Sequence, residues 1–513
     1  MSFLNKMQKT MNETMNVSIT ENGAVGYRTT GKELLDMNFK VTSFRNMKDE
    51  AIIESFVKAF YEDKMLAVKW LFYASDVREG IGERRLFRVC MNYLAQNHPE
   101  IAKAVLELIP EYSRWDNLVC LVDTDLAKDV LEIIKKQINE DIANCVAGKS
   151  ISLLAKWLPS ENTSSAKTRE LAKKVYSGLN MTPKQYRKML SKLRAYLKVV
   201  EVSMSAKEWS EIDYAAVPSR ANLIYNGAFL RNDEERRRAY LASLEKGEAK
   251  INAGVLFPHD IVHKYIEKWR NGKDVTLEEL WKNLPDLVKG NESTICVSDG
   301  SGSMTCRVGN TNVSALDVAN ALSIYFAERC SGEFKDKYIT FSRRPQLVDL
   351  SKGSTLREKI EISRRYCEVA DTNIEAVFDL ILATAVENKM TQEEIPQNIL
   401  ILSDMEFNSC VTCGNSTGWS RNMPSKKLFE EIAIKYAAYG YKIPRLIFWN
   451  IMSRTGTIPV KENDLGVALV SGFSPNIMKM VMSNSTDPFE CLLEQLNAER
   501  YKPVEDAIKD LVA

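Results

Sequence analysis

Apolar residues recur at three- and four-residue spacing through most of the first 290 positions, then give way to short unbroken apolar runs. The first pattern predicts helix after helix. It runs through "MKDEAIIESFVKAFYEDKMLAVKWLFYASDV" from Met47, "RRLFRVCMNYLAQNHPEIAKAVLELIPEY" from Arg84 and "NLVCLVDTDLAKDVLEIIKKQINEDIANCV" from Asn117. "SAKTRELAKKVYSGL", "PKQYRKMLSKLRAYLKVVEVSM" and "EERRRAYLASLEKG" continue it, with helix stops every 15–30 residues, as paired helices in a stacked, solenoid-like array require. After Gly290 the runs "STICVSD", "DKYITFS", "PQLVDL", "QNILILSD", "PRLIFWNI" and "GVALVSGF" alternate with helical stretches, which predicts βαβ units and a mainly parallel sheet. The expected organisation is a polar, Met-rich and partly disordered lead-in (1–46), an α-helical repeat region (47–290) and a doubly wound α/β domain (291–513).

Composition narrows this picture only slightly. At 513 residues the chain exceeds one core, and 45% apolar with 27% charged residues is ordinary globular usage. No apolar run is long enough to span a bilayer and no secretory leader is visible, so no membrane partner is expected. The ten cysteines are scattered, as expected of reduced thiols in a cytoplasmic protein. Charge does change the picture. The net +1 hides 45 basic against 39 acidic residues up to 290 and 24 against 29 beyond it, and the stretch 151–200 alone holds 11 basic and 2 acidic residues. Such a local excess attracts polyanions, although a solvated helical face reads the same way.

The candidate chemistry sits where strands end. "TICVSDGSGSM" carries Asp299, Ser301 and Ser303 into a glycine-rich turn. Asp404 closes "NILILSD", and Thr372 stands in a loop just before a helix. Ligands of wound sheets bind beyond the carboxyl ends of the strands. Two carboxylates and three hydroxyls are hard oxygen ligands suited to Mg²⁺ first, or to Mn²⁺ or Ca²⁺, rather than Zn²⁺. The competing reading is a Ser/Gly turn that caps the helix beginning near Val313.

The five positions resemble, in order, the metal-ion-dependent adhesion site (MIDAS) of von Willebrand factor A (vWA) domains: Asp-x-Ser-x-Ser, a distant Thr and a distant Asp. The resemblance implies that Asp299, Ser301, Ser303, Thr372 and Asp404 hold a cation that docks an Asp or Glu of a protein partner. Together with the helical region, the chain resembles the TROVE architecture of the Ro ribonucleoproteins, and more closely a TROVE-like branch known from phages, fungi and plants. "YRTTGKELLDMNF", "SDVREGIGERRLFR", "EYSRWDNL", "AKWLPSENTSS", "VPSRANLIYNGAF", "VSDGSGSM" and "GVALVSGFSP" carry that likeness. It implies HEAT-like repeats that bind structured or single-stranded RNA. A phosphoryl-transfer or hydrolytic enzyme is not expected, since no His or Lys base is evident nearby and hydroxyl-rich coordination favours docking over water activation. Candidate RNA contacts are Arg84, Arg85, Lys156, Lys173, Lys174, Arg187, Lys188, Lys192, Arg194 and Lys198, with Trp157, Tyr186 and Tyr196 interleaved. The spacing places Arg187, Arg194 and Lys198 on one helical face. The alternative is a protein-only adaptor with metal-dependent partner binding and no RNA role.

Weaker signals are set aside. "ANCVAGKS" lacks the first glycine of a phosphate-binding loop and follows a helix. "GNSTG" is too far from its strand to be a nucleophile elbow. His259 and His263 in "PHDIVHKY" lack a third metal ligand, and Pro258 simply starts a helix. Cys410 and Cys413 form a lone CxxC; zinc would need two more thiols, for which Cys306 and Cys367 are the candidates.

Overall fold

A computed structural model of the chain describes residues 16–269, 272–288, 293–309, 311–341, 344–366, 373–407, 428–459, 467–477 and 487–512, with Met7, Thr10 and Met480. The fold combines an α-helical region with a mainly parallel sheet, as the two sequence patterns require. Among the described residues, no helix is long and apolar enough to cross a membrane.

The chain packs as two units that do not follow the expected order along the sequence. One holds Met1–Ala51, Val57–Glu62 and Leu256–Gln495; the other holds Ile52–Phe56, Asp63–Val255 and Leu496–Ala513. The packed units thus divide the chain differently from the sequence pattern.

In the first unit, strands β1 (Ser18–Ile19) and β2 (Val25–Gly26) form a small antiparallel pair. The main sheet comprises β3 (Thr294–Asp299), β4 (Lys337–Phe341), β5 (Gln346–Asp349), β6 (Asn398–Ser403), β7 (Arg445–Asn450) and β8 (Val467–Ser471). Their spatial order is β5-β4-β3-β6-β7-β8, with only the β4–β5 pair antiparallel. Counted within the sheet this is 3-2-1-4-5-6, the doubly wound order, and the winding reverses between β3 and β6. The buried strands β3, β6, β7 and β8 read as unbroken apolar runs because both faces are covered.

Helix Ala315–Arg329 packs on β3 and β4, and helix Pro258–Glu267 packs on that helix. Helices Pro258–Glu267 and Val275–Lys282 have a helical period like those before them, so the sequence assigned them to the repeat region. Their apolar faces (Ile261, Val262, Tyr265, Leu277, Leu280, Trp281) are instead buried in the sheet unit. Buried Glu278 fastens them there: it accepts from Leu356 N at 2.8 Å, Arg357 N at 3.2 Å and Tyr265 Oη at 2.6 Å. It thereby satisfies the first amides of helix Leu356–Arg365.

Residues 16–46 of the lead-in are tied to the sheet unit by hydrogen bonds. Tyr27 and Ile458 exchange backbone hydrogen bonds at 2.7 and 2.9 Å, and Thr20 Oγ1 donates to Phe407 O at 2.5 Å. Asn450 Nδ2 donates to Phe39 O at 2.8 Å, and Ser43 Oγ to Ser453 O at 2.7 Å. This segment crosses the loops that leave the carboxyl ends of β6 and β7.

In the helical unit, sequence neighbours pack on one another: Lys64–Ser75 on Arg84–Asn97, Ala127–Val146 on Ala166–Gly178 and Pro183–Tyr196, and Ser219–Asn232 on Glu234–Glu245. Asp63 starts a new helix within the stretch from Met47 by capping Lys64–Ser75, accepting Leu66 N at 2.8 Å. The last helix, Lys502–Val512, joins this unit, where Lys69 Nζ donates to Asn497 at 2.9 Å and Glu505 at 2.8 Å. Beside it, fully buried Asp76 accepts from both Arg500 nitrogens that face it, from Tyr501 Oη at 3.2 Å and from Arg78 N at 2.9 Å. Gly80 is required in the same turn, since a Cβ there would stand 2.0 Å from Tyr73 O.

Breaking a buried ion pair strands the remaining charge. Asp76→Ala is therefore expected to lower the unfolding free energy by about 3 kcal/mol in urea titration, with a less-than-additive loss when combined with Arg500→Ala. A loss below about 1 kcal/mol would contradict this anchor, being the scale of an exposed pair.

Candidate functional site

The wound order brings two strand ends together. Ser298 pairs with Leu402 across β3 and β6, so Asp299 ends its strand beside Ser403, and Asp404 follows at once. Both carboxylates thus enter the crevice at the switch point, where neighbouring chains leave in opposite directions. The helix after the glycine-rich turn starts at Ala315 and is capped by Ser314 in a capping box with Asp317. The DGSGS turn does not cap it, which removes the competing reading of those serines.

Asp299 and Asp404 are fully buried, Ser301 nearly so and Ser303 half-buried. Asp299 accepts Ser301 N at 2.9 Å on one oxygen and Ser403 Oγ at 2.6 Å on the other. Ser301 and Ser303 hydroxyls lie 2.9 Å apart, and Ser303 also hydrogen-bonds Asp404. Four of the five expected ligand positions therefore converge; Thr372 lies outside the described residues.

Burial raises the pKa of Asp299, against the opposing pull of its bonds from Ser403 and Ser301. Burial first, and then the neighbouring charge of Asp299, push Asp404 up to about 7. The Arg454 guanidinium, whose Nη2 stands 3.3 Å from Asp404 Oδ2, pulls the other way. Arg454 is shared with Glu21, which pairs with the same nitrogen.

Sequence reasoning missed this outer ring. Glu406 is fully buried and accepts Arg454 N and Thr455 N at 2.9 Å each and Glu21 N at 2.8 Å. It therefore shapes the loop that presents Arg454. Met405, between the two acids, adopts φ +62°, and its amide donates to Ser403 Oγ at 3.0 Å. A left-handed non-glycine residue at this point is a local strain of the kind that gathers at functional sites. The "SDMEF" stretch was the only signal for Glu406; nothing local marked Arg454.

Among the described residues no group of three or more His, Cys, Asp or Glu is placed to hold a metal. The centre is of another composition: two carboxylates and two hydroxyls. His263 pairs with Asp317 at 3.2 Å, and His259 packs between the Phe257 and Phe473 rings, so neither histidine joins a metal site. Cys306 is exposed, while Cys367, Cys410 and Cys413 lie outside the described residues.

The basic stretch behaves unevenly. Tyr186 is core, donating to Pro159 O at 2.9 Å. Arg194 holds the 155–160 loop through Ala155 O, Leu158 O and Ser160 Oγ, each at 2.8 Å. Arg187 pairs with Glu161 at 2.7 Å, and Lys174 with Asp123 at 2.8 Å. The helix ends at Tyr196 and Lys198 lies past it at φ +49°, so Lys198 does not share a helical face with Arg187 and Arg194. Lys173, Lys188, Lys192 and Arg85 are exposed; Lys156 is half-buried, 5.7 Å from the Trp157 ring centroid. Arg84 is exposed and one helical turn before Arg88.

Two family models match the chain: the domain of unknown function DUF2828 over residues 20–145 and 165–290, and the domain of unknown function DUF7788 over 293–509. These matches meet where the sequence pattern changes, whereas the packed units part at 255–256. Uncharacterized protein L728 of Acanthamoeba polyphaga mimivirus is 32% identical over 530 residues, covering 95% of this chain and 89% of that one. Among solved structures, the Ro (RSR) protein of Deinococcus radiodurans matches with 16% identity and a TM-score of 0.43, covering 84% of this chain and 92% of that one.

The electrostatics give a direct expectation for the metal-free protein. An unfolded aspartate ionises near 4, so a folded Asp404 that ionises near 7 makes the sheet unit lose stability as pH rises between those values. Arg454→Ala should raise this pKa further, because the guanidinium favours the anion. Carboxyl infrared bands, taken as the difference from Asp404→Asn, follow the titration. Ionisation below 4 in both proteins would contradict the buried pair.

Proposed function

We propose that this chain, which belongs to one family with the mimivirus protein L728, is a non-enzymatic binding protein with a metal-dependent docking centre and an RNA-binding helical unit. The observation that carries the first half is the pair of buried carboxylates, Asp299 and Asp404, side by side with the Ser301 and Ser303 hydroxyls. Two anions in one dry crevice raise each other's pKa, and a small cation relieves that repulsion. The donor set is all hard oxygen, which fits Mg²⁺, with Mn²⁺ or Ca²⁺ as substitutes.

The finer reading is a vWA-type domain with a MIDAS. The 3-2-1-4-5-6 order with an antiparallel edge strand supports it, as does the arrival of Asp-x-Ser-x-Ser and Asp404 at adjacent strand ends. Asp299, Ser301, Ser303, Asp404 and Thr372 would hold the ion. When bound, it supplies an electrophilic position for a partner's Asp or Glu carboxylate. Among the described residues no His or Lys touches the four convergent ligands, and this hydroxyl-rich set fits docking better than catalysis.

The second half rests on the packing of helices near in sequence on one another, the local basic excess and the TROVE resemblance. RNA, single-stranded or structured, is the polyanion proposed, and a cytoplasmic setting fits the scattered free thiols.

Calorimetric titration of the full chain with Mg²⁺ or Mn²⁺ should give one ion per chain. Asp299→Ala with Ser301→Ala should abolish the heat and release any protein partner captured in Mg²⁺, with circular dichroism unchanged. An undiminished titration in that variant would refute the metal centre. RNA binding should be strong at low salt and fall steeply as salt rises; no binding at low salt would refute the second half.

A further inference from the structure

Resting on the metal reading, the contacts of Arg454 carry a further step. Its Nη2 stands 3.3 Å from Asp404 Oδ2 and also pairs with Glu21 Oε2. Its Nη1 meets Cys306 Sγ at 3.7 Å. One guanidinium thus bridges a fully buried carboxylate of the crevice and a carboxylate of the N-terminal segment, whose side chain is 57% exposed. All these residues belong to the sheet unit.

The loop that carries Arg454 does not need this guanidinium to hold its shape. Glu406 Oε1 accepts Arg454 N and Thr455 N at 2.9 Å each, and Thr455 Oγ1 at 3.1 Å. Ser453 N donates to Asn450 Oδ1 at 2.8 Å, and Gly456 N to Ser453 Oγ at 2.9 Å. The loop is therefore pinned through its backbone, and the Arg454 side chain can leave Asp404 by rotation about its own bonds.

A guanidinium has five donors and no acceptor, so it cannot ligate a cation. It repels one, and it occupies an oxygen of Asp404 that the ion would use; two positive groups contest one carboxylate. Glu21 offers the alternative. It already touches the same nitrogen, so a guanidinium that gives up Asp404 is not left unpaired. The N-terminal segment keeps that carboxylate within reach, because Glu21 N donates to Glu406 Oε2 at 2.8 Å and Asn22 Nδ2 to Glu406 O at 2.6 Å.

We propose that Arg454 is a tethered counter-cation of the strand-end crevice: it holds Asp404 until a divalent ion enters and then turns to Glu21, so that the N-terminal segment sets how readily the centre loads. Arg454 ligates nothing in this scheme, and Glu21 acts only through Arg454.

The test is calorimetric titration of the full chain with Mg²⁺ at pH 8.5, where protons compete little for carboxylates. Arg454→Gln should tighten Mg²⁺ binding by about tenfold or more, and Glu21→Gln, which leaves the guanidinium only Asp404, should weaken it by about threefold or more. Placed in the Arg454→Gln background, Glu21→Gln should shift affinity by less than about twofold. An equal loss in both backgrounds means that Glu21 acts through its own field, and overturns the relay. Arg307→Gln removes an exposed charge next to Cys306 in the chain and should change affinity by less than about threefold. A gain there as large as that of Arg454→Gln overturns the specific contact. Melting midpoints equal to wild type verify folding, and Arg454→Met takes the place of Arg454→Gln if the latter does not fold. An Arg454 variant that binds Mg²⁺ as wild type does overturns the counter-cation and leaves the metal centre standing. If neither wild type nor that variant takes up Mg²⁺, both fall; uptake by the variant alone supports the proposal in its strongest form.

Discussion

Two carboxylates that share a dry crevice constrain everything around them. Removing an ion from water costs several kcal/mol, and a second like charge beside it adds repulsion. The chain nevertheless places Asp299 and Asp404 on adjacent central strands, where parallel pairing of β3 with β6 leaves no freedom to separate them. Serine hydroxyls, the backbone amides of Ser301 and Glu406, and the Arg454 guanidinium absorb part of the cost. The remaining deficit of positive charge is the physical basis for the proposed cation site at this edge.

The surroundings make sense as supports for that arrangement. Glu406 spends both its oxygens on the loop carrying Arg454 and on the N-terminal segment carrying Glu21. The N-terminal segment is therefore part of the sheet's carboxyl edge rather than a leader to it. Arg454 stands as a protein-borne cation next to Asp404, competing with any ion that enters. This arrangement couples the charge state of the centre to the position of one loop.

How much of this could be read beforehand depended on the range of the interactions. The buried strands were legible because a strand covered on both faces is an unbroken apolar run, and the DGSGS turn because it follows one. The reversal of β5 was not, since its direction is set by pairing with β4. The packing of residues 16–46 was not legible: its partners lie far along the chain, in the loops after β6 and β7 and at the ends of β7 and β8, and its own sequence shows no period. Helices Pro258–Glu267 and Val275–Lys282 were assigned by period to the region before them, but period does not report what a helix packs on. In the basic stretch, Arg187 and Arg194 looked available because their partners, Glu161 and the 155–160 loop, lie across a turn.

The central claim, that the strand-end crevice is a cation site, is tested most directly by crystals of the full chain grown with Mn²⁺ and measured for anomalous scattering. The account predicts a single peak bounded by Asp299, Ser301, Ser303 and Asp404, with the Arg454 guanidinium drawn away from Asp404. A crevice with no anomalous peak at saturating Mn²⁺, and Arg454 still paired with Asp404, would contradict it.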